Sequence, residues 1–313
     1  MTYSSRNLVQ ASDYNGFVGG NTANVSGQLN TILGAGYGNA GYGQVSVGNV
    51  AAAGANLVTA TQWTTLVNNV NKVRKHQSGA GFTNLSTYVT GTVVNANIDI
   101  GSNLTAGYTN RLNYSAEGTT LTGSTYSPNF TAPNDTNSAT FDFSRTATFA
   151  SADQARYFFN AGGQLNFVVI SATNGGGTTR GQGLCDLAAT NFTSARFRAA
   201  NNSGRTGSGG SVASSNASVG YYNQTTSNAS IISITPSGGT YGSASVTVNA
   251  KSNGTQGSNG DKGTTVTMSM TLYSPGTAPA FNDEIDITVN HRIDVIYPST
   301  TFLANTWGSI TIS

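Results

Sequence analysis

The chain has 313 residues, of which only 8% are charged against a usual share of about 25%, and its net charge is +2. That balance is too small for an electrostatic case for nucleic acid. The 14 Tyr, 13 Phe and abundant Val and Thr exclude a disordered polar chain, so solubility must rest on hydroxyl and amide groups.

The first residues, MTYSSRNLVQASDYNG, have neither a basic segment nor an apolar one, which predicts no signal peptide. No apolar run approaches the roughly 18 residues of a membrane span, so no membrane insertion is expected. A short helix is predicted after Ser12 on Tyr14, Phe17 and Val18, and a second apolar face comprises Val25, Leu29, Ile32 and Leu33. Gly34–Gln44, GAGYGNAGYGQ, reads as a loop. Gly34, Gly36 and Gly41 make no phosphate cradle, because no strand precedes them and no Lys follows at the required spacing. Its tyrosines, Tyr37 and Tyr42, offer large area with a polar tip and are candidates for a subunit boundary.

The strongest helix runs from Thr59 to Gln77. Trp63, Leu66, Val67, Val70 and Val73 fall on one face and Thr59 is placed to cap the N-terminus. Lys72, Arg74, Lys75 and His76 close it, where cations complement the helix dipole. Residues 80–150 are rich in Thr, Ser and Asn, with short alternating pieces at Asn97–Ile100 and Thr140–Phe143 and a turn expected around Tyr126–Asp135 between Pro128 and Pro133.

An aromatic triplet, Tyr157, Phe158 and Phe159, then runs into Gly162-Gly163 and an alternating strand from Gln164. The glycines favour a structural corner that folds the rings back over the strand. The competing reading is an aromatic platform for a sugar or nucleobase, for which only Arg156 and Asn160 lie close by in sequence. The strand, with Leu165, Phe167 and Val169 alternating against Asn166, Val168 and Ile170, is expected to be buried on both faces. Asn174–Gly183 and Asn201–Ser211 read as loops. The clearest strand pair carries Val266, Met268, Met270 and Leu272 on one member and Ile285, Ile287, Val289, Ile293 and Val295 on the other; a last strand holds Ile310 and Ile312 after Trp307. These patterns predict a mostly-β fold: an N-terminal attachment segment with helices (1–79), a Thr/Ser/Asn-rich β region (80–150) and a β-sandwich or jelly-roll-like C-terminal domain (151–313).

Few residues offer chemistry. His291 shares the apolar register of its strand and reads as a core or interface histidine, with Asp286 and Asp294 pointing away from it. Cys185 is the single cysteine and reads as packed rather than nucleophilic. The 12 acids form no obvious pair for glycoside cleavage, and the Asn253–Asp261 loop lacks a calcium motif. No catalytic residue, cofactor site or metal site is expected.

Several segments carry a resemblance. ARYFFNAGGQLNF (155–167) is similar to a segment of virion structural proteins of tailed phages, especially contractile-tailed cyanophages and their marine relatives. QASDYNGF, GAGYGNAGYGQ and TATQWTTLVNNVNKVRKHQ resemble the N-terminal part of such proteins. ISATNGGG, FTSARFRAANN, VGYYNQTT and TVTMSMTLYS resemble their C-terminal domain, while residues 80–140 match no such segment. The resemblance implies a non-enzymatic virion component assembled in the host cytoplasm, tail-associated as a fibre, baseplate-peripheral or neck part. Its partners would be other virion proteins and further copies of itself, a trimer by analogy with phage fibres. The alternatives are a capsid decoration protein and a module that binds or depolymerises host-surface glycan, the latter using exposed aromatics such as Tyr221 and Tyr222. Self-association also follows from composition, since few charges or prolines guard the sheet edges. Trp63 and its helix face, Tyr37, Tyr42 and the strand of His291 are the expected neighbours of such contacts.

Overall fold

The computed structural model describes residues 11–20, 25–50, 58–81, 97–133, 137–238, 241–254, 263–276 and 283–313. The fold is mostly β, two antiparallel sheets stacked as a sandwich with a smaller helical part at the N-terminal side. The helices are α1 (Ala11–Val18), α2 (Leu29–Leu33), α3 (Ala60–Ser78), α4 (Asn97–Thr109), α5 (Ala152–Asn160) and α6 (Thr179–Cys185), the last continuing into a π-helical turn over Asp186–Phe192.

In α3 the expected apolar face is buried throughout, and Thr59 forms a capping box with Gln62, a device worth about 1 kcal/mol. Gly79, in the left-handed conformation, closes the helix by donating to the Lys75 carbonyl. His76 does not serve the dipole as a cation. It is buried, and burial pulls its pKa down to about 4. The alternation expected at Asn97–Ile100 is instead the start of α4. Ile100 and Leu104, four apart, are buried together, and Gly107 brings the helix so close that a Cβ there would stand 3.4 Å from both Ile32 and Val73. Packing against α2 and α3 thus overrides a weak local strand pattern.

The first sheet is built on the 14-residue strand β10 (Ile285–Pro298), with β4 (Gln164–Asn174) on one side and β5 (Ser194–Phe197) beyond it. Along the other side of β10 run β1 (Glu117–Leu121) and β2 (Asn129–Ala132), joined by a bridge in which Tyr126 and His291 exchange both backbone hydrogen bonds at 2.9 Å. The segment between Pro128 and Pro133, expected as a turn, is therefore the edge strand β2, where proline's missing N–H costs no ladder bond. The second sheet has the order β11 (Thr311–Ile312), β3 (Ala139–Thr148), β9 (Thr265–Ser274), β8 (Ser245–Ser252), β7 (Ala229–Thr235), β6 (Ser211–Ser215).

The two most apolar strands, expected as a pair, lie in different sheets: β9 pairs with β3 and β8, and β10 with β4. Each presents its apolar face to the sandwich interior, so their similarity records a shared core. β4 is buried on one face rather than two, with Ile170 45% exposed. The interval Asn174–Gly183, expected as a loop, opens α6 after Thr178, whose hydroxyl accepts from the Gly181 N–H. Gly177 lies outside regular elements, and so does the segment expected as the loop Asn201–Ser211, apart from a bridge between Asn202 and Phe197 and from Ser211, which opens β6.

The outer face of the second sheet is a hydroxyl ladder. Thr146 and Thr267 are bonded at 2.8 Å, Ser233 and Thr247 at 3.1 Å, and Thr271 donates to Asp142. Cross-strand hydroxyl pairs do here what surface charges usually do. One continuous apolar cluster runs from Tyr14 and Trp63 in the helices through Phe143 and Phe167 to Trp307 and Ile310, so helices and sandwich share a core.

Candidate functional site

The glycine-tyrosine loop and the aromatic triplet, 120 residues apart in the chain, meet in space. Helix α5 is capped by Ser151, whose hydroxyl accepts from the Gln154 N–H, and ends before Gly162 (φ +93°). This amphipathic turn places Phe158 and Phe159 inward and Arg156 and Asn160 toward the loop. The corner is thus helical, shorter than a periodicity pattern can disclose.

Arg156 is 4% exposed. Its Nη1 donates to the carbonyls of Gly38 (2.9 Å) and Ala40 (3.1 Å), and its Nη2 to Ala35 (3.0 Å) and to Asp153. Asn160 donates to Gly41, and its own carbonyl accepts from the Tyr222 hydroxyl, which sits 3.0 Å from the Gly38 carbonyl. The loop's carbonyls therefore converge on a guanidinium, and the turn requires glycine. At Gly41 (φ +94°) a Cβ would lie 2.2 Å from the Ala35 carbonyl oxygen; at Gly43 it would strike the Tyr157 ring at 2.4 Å.

Tyr42 is buried and ties three parts of the chain together. Its hydroxyl accepts from Gln77 and donates to the Arg111 carbonyl, and its own carbonyl accepts from Thr306 at 2.6 Å. Burial raises its pKa. Gln44 adds a two-way bond to the backbone of Ala304. Asn15 and Asn30 do the same for Val50 and Val47, each amide pairing with both backbone groups of its partner like a neighbouring strand.

His291 occupies a second cluster, an aromatic box between the sheets. Phe143 of the opposite sheet lies 4.4 Å away, with Tyr126 at 5.5 Å and Phe167 at 5.8 Å. Its Nδ1 donates to the Val289 carbonyl at 3.3 Å, and Nε2 has no partner among the described residues. Burial pulls its pKa to about 4, with Arg145 adding to the shift, so the ring is neutral at pH 7.

Of the seven residues singled out from sequence, Tyr42, Trp63, Phe158, Phe159 and His291 are buried in the chain's own core and cannot themselves form a contact surface. Trp63 packs against Tyr14 and Phe17. Phe159 stacks on Tyr221 at 4.3 Å. Tyr37 and Tyr157 are half-buried, and Tyr157 rests on the loop beside Gly43 with the Arg156 guanidinium 5.2 Å from its ring. No open aromatic platform remains in the triplet. Tyr221 and Tyr222, expected to be exposed, are also buried. Cys185 is buried, and its thiol is pushed up to about 11 by desolvation, with Asp186 adding to it. The Asn253–Asp261 loop lies mostly outside the described residues. Among those described, no helix is long and apolar enough to cross a membrane.

Arg156 and Asn160 were the residues whose role sequence could not disclose. Their one signal is polar side chains inside a dense aromatic run, near a loop of carbonyls that need donors. Compared with known proteins, the chain matches no family model, no curated protein and no solved structure.

Proposed function

We propose that this chain is a non-enzymatic structural component of a tailed-phage particle, tail-associated as a fibre, baseplate-peripheral or neck part, and that it works in several copies, a trimer by analogy with phage fibres. The likeness of the quoted segments supports the particle. The observation that carries assembly is the edge strand β6: all five of its residues are exposed, none is charged, and Val212 is 49% exposed. Among the described residues β6 pairs with β7 alone, in a register broken once between Val212 and Ser214, and no strand takes the backbone donors and acceptors of its other side. Natural sheets guard such an edge with charge, proline, a bulge or cover; β6 has neither charge nor proline and a single irregularity, and cover by a neighbouring subunit completes its protection.

The non-catalytic reading draws support from where the reactive side chains are. His76, His291 and Cys185 are buried, each with the pKa shifted toward its neutral form by desolvation. A general base or nucleophile requires the opposite, a group within reach of substrate and poised near working pH.

Mass spectrometry of purified particles from the encoding phage tests the proposal, with the protein expected among the structural components. Its absence would overturn the reading, and hundreds of copies per particle would favour capsid decoration over the tail.

A further inference from the structure

A cleft of about 640 Å3 opens where the helical part meets the sandwich. Its walls are the turn after α4, the Gly162–Gly163 turn after α5 and the segment following β5. Arg111, Asn113, Tyr114, Arg198 and Asn201 bring polar groups to it, and among the described residues no carboxylate lines it.

Among the described residues neither guanidinium group pairs with a carboxylate. Arg111 is held by neutral acceptors, donating to the backbone and side-chain oxygens of Asn39 and to the Tyr108 carbonyl. Arg198 donates through Nε to the Gln164 side-chain oxygen at 3.0 Å. Its two terminal nitrogens have no acceptor among the described residues. Gln164 is fixed in that orientation because its amide nitrogen donates to the Tyr114 hydroxyl and to Glu117. Glu117, the carboxylate of this network, is taken by Arg196 at 2.7 Å. A neutral amide thus stands between Arg198 and the only acid of the network, and the free edge of its guanidinium fork is left for a ligand.

Guanidinium forks match carboxylates and phosphates with paired hydrogen bonds, and like charge concentrated in a cleft raises the local concentration of anions. The rest of the polar lining consists of amides and hydroxyls, which suit a polyhydroxylated body, and the volume falls within the usual range for small-molecule sites. We propose that this cleft binds an anionic saccharide, its carboxylate or phosphate on Arg198 and its hydroxyls on Tyr114, Asn113 and Asn201. The site is independent of the particle reading and stands or falls by itself.

Calorimetric titration of the full chain with glucuronate, glucose 6-phosphate, glucose and inorganic phosphate tests it. At least one of the two charged sugars is expected to bind in the millimolar range, more weakly as salt is raised, and which of them binds identifies the acid group. Arg198→Gln should weaken that binding about tenfold, close to 1.4 kcal/mol, while Lys72→Gln, an exposed cation outside the cleft, leaves it unchanged. Asn201→Ala, on an exposed residue, should weaken it severalfold and serves if Arg198→Gln disturbs the fold as judged by circular dichroism. Failure of both charged sugars to bind overturns the proposal. So does glucose binding as tightly as they do, inorganic phosphate matching the better of them, or folded variants at Arg198 and Asn201 that retain full affinity.

Discussion

Arg156 on α5 and Gly38 in the glycine-tyrosine loop are 118 positions apart, and a guanidinium nitrogen of one lies 2.9 Å from the carbonyl oxygen of the other. That bond and its neighbours convert a segment that would otherwise be a flexible glycine loop into part of the core. Buried carbonyls without donors cost about 1–3 kcal/mol each, so a single side chain serving three of them is a strong constraint.

Arg156→Met should therefore destabilise the protein by about 2–4 kcal/mol, since the carbonyls of Ala35 and Ala40 lose their side-chain donor and Gly38 keeps only Tyr222 and a long bond from Asn160. Asp153 is exposed at the other end of the pair, so its loss of a partner adds little. Urea unfolding of the two proteins measures the difference; equal midpoints would show that the clamp contributes nothing.

Gly41→Ala should be costly and Gly48→Ala nearly neutral. The first demands a left-handed residue whose Cβ would lie 2.2 Å from the Ala35 oxygen, whereas a Cβ at Gly48 meets nothing within 4 Å. A loss of about 2 kcal/mol or more is expected for the first, against a few tenths for the second. Thermal unfolding of both variants checks the contrast.

Acid should destabilise the fold through its two histidines. Both have folded-state pKa values near 4, below the ordinary 6.5 of the unfolded chain, because burial disfavours the cation. As pH falls through 6.5 the unfolded chain takes up protons that the folded chain refuses until about 4. Stability is thus full above about 6.5, declines between 6.5 and 4, and stops declining from this cause below 4. The loss is on the order of 3 kcal/mol per histidine at most. His291→Phe, which suits a box of Phe143, Phe167 and Tyr126, should reduce the slope of stability against pH by about half. An unchanged slope would show that His291 is not one of the titrating groups.

Much of this was legible in the chain, for reasons specific to each element. Thr59, Trp63, Leu66, Val67, Val70 and Val73 repeat over about four turns, long enough for a helical period to stand out, and β9 and β10 alternate over ten residues or more. Helix α5 has about two and a half turns crowded with aromatics ahead of a Gly-Gly pair, which read as a corner with no helical period, and α4 owes its form to packing on Ile32 and Val73. Sheet membership was hidden for another reason. Sequential strands usually pair, and nothing local in β9 or β10 says that the two belong to opposite sheets. The Arg156 clamp and the cleft at Arg198 are made of residues brought together only by the finished fold.

The proposed self-association rests on the uncharged edge strand β6, through which copies of the chain would join. Sedimentation velocity of the full chain at micromolar concentration, compared with Val212→Lys, tests this most directly. A lysine on an open edge disfavours strand pairing without touching the core. The expected result is an oligomer for the natural chain, a trimer by the fibre analogy, and a monomer with an unchanged circular dichroism spectrum for the variant. A natural chain that sediments as a monomer, or an oligomer indifferent to the lysine, would rule out assembly through β6.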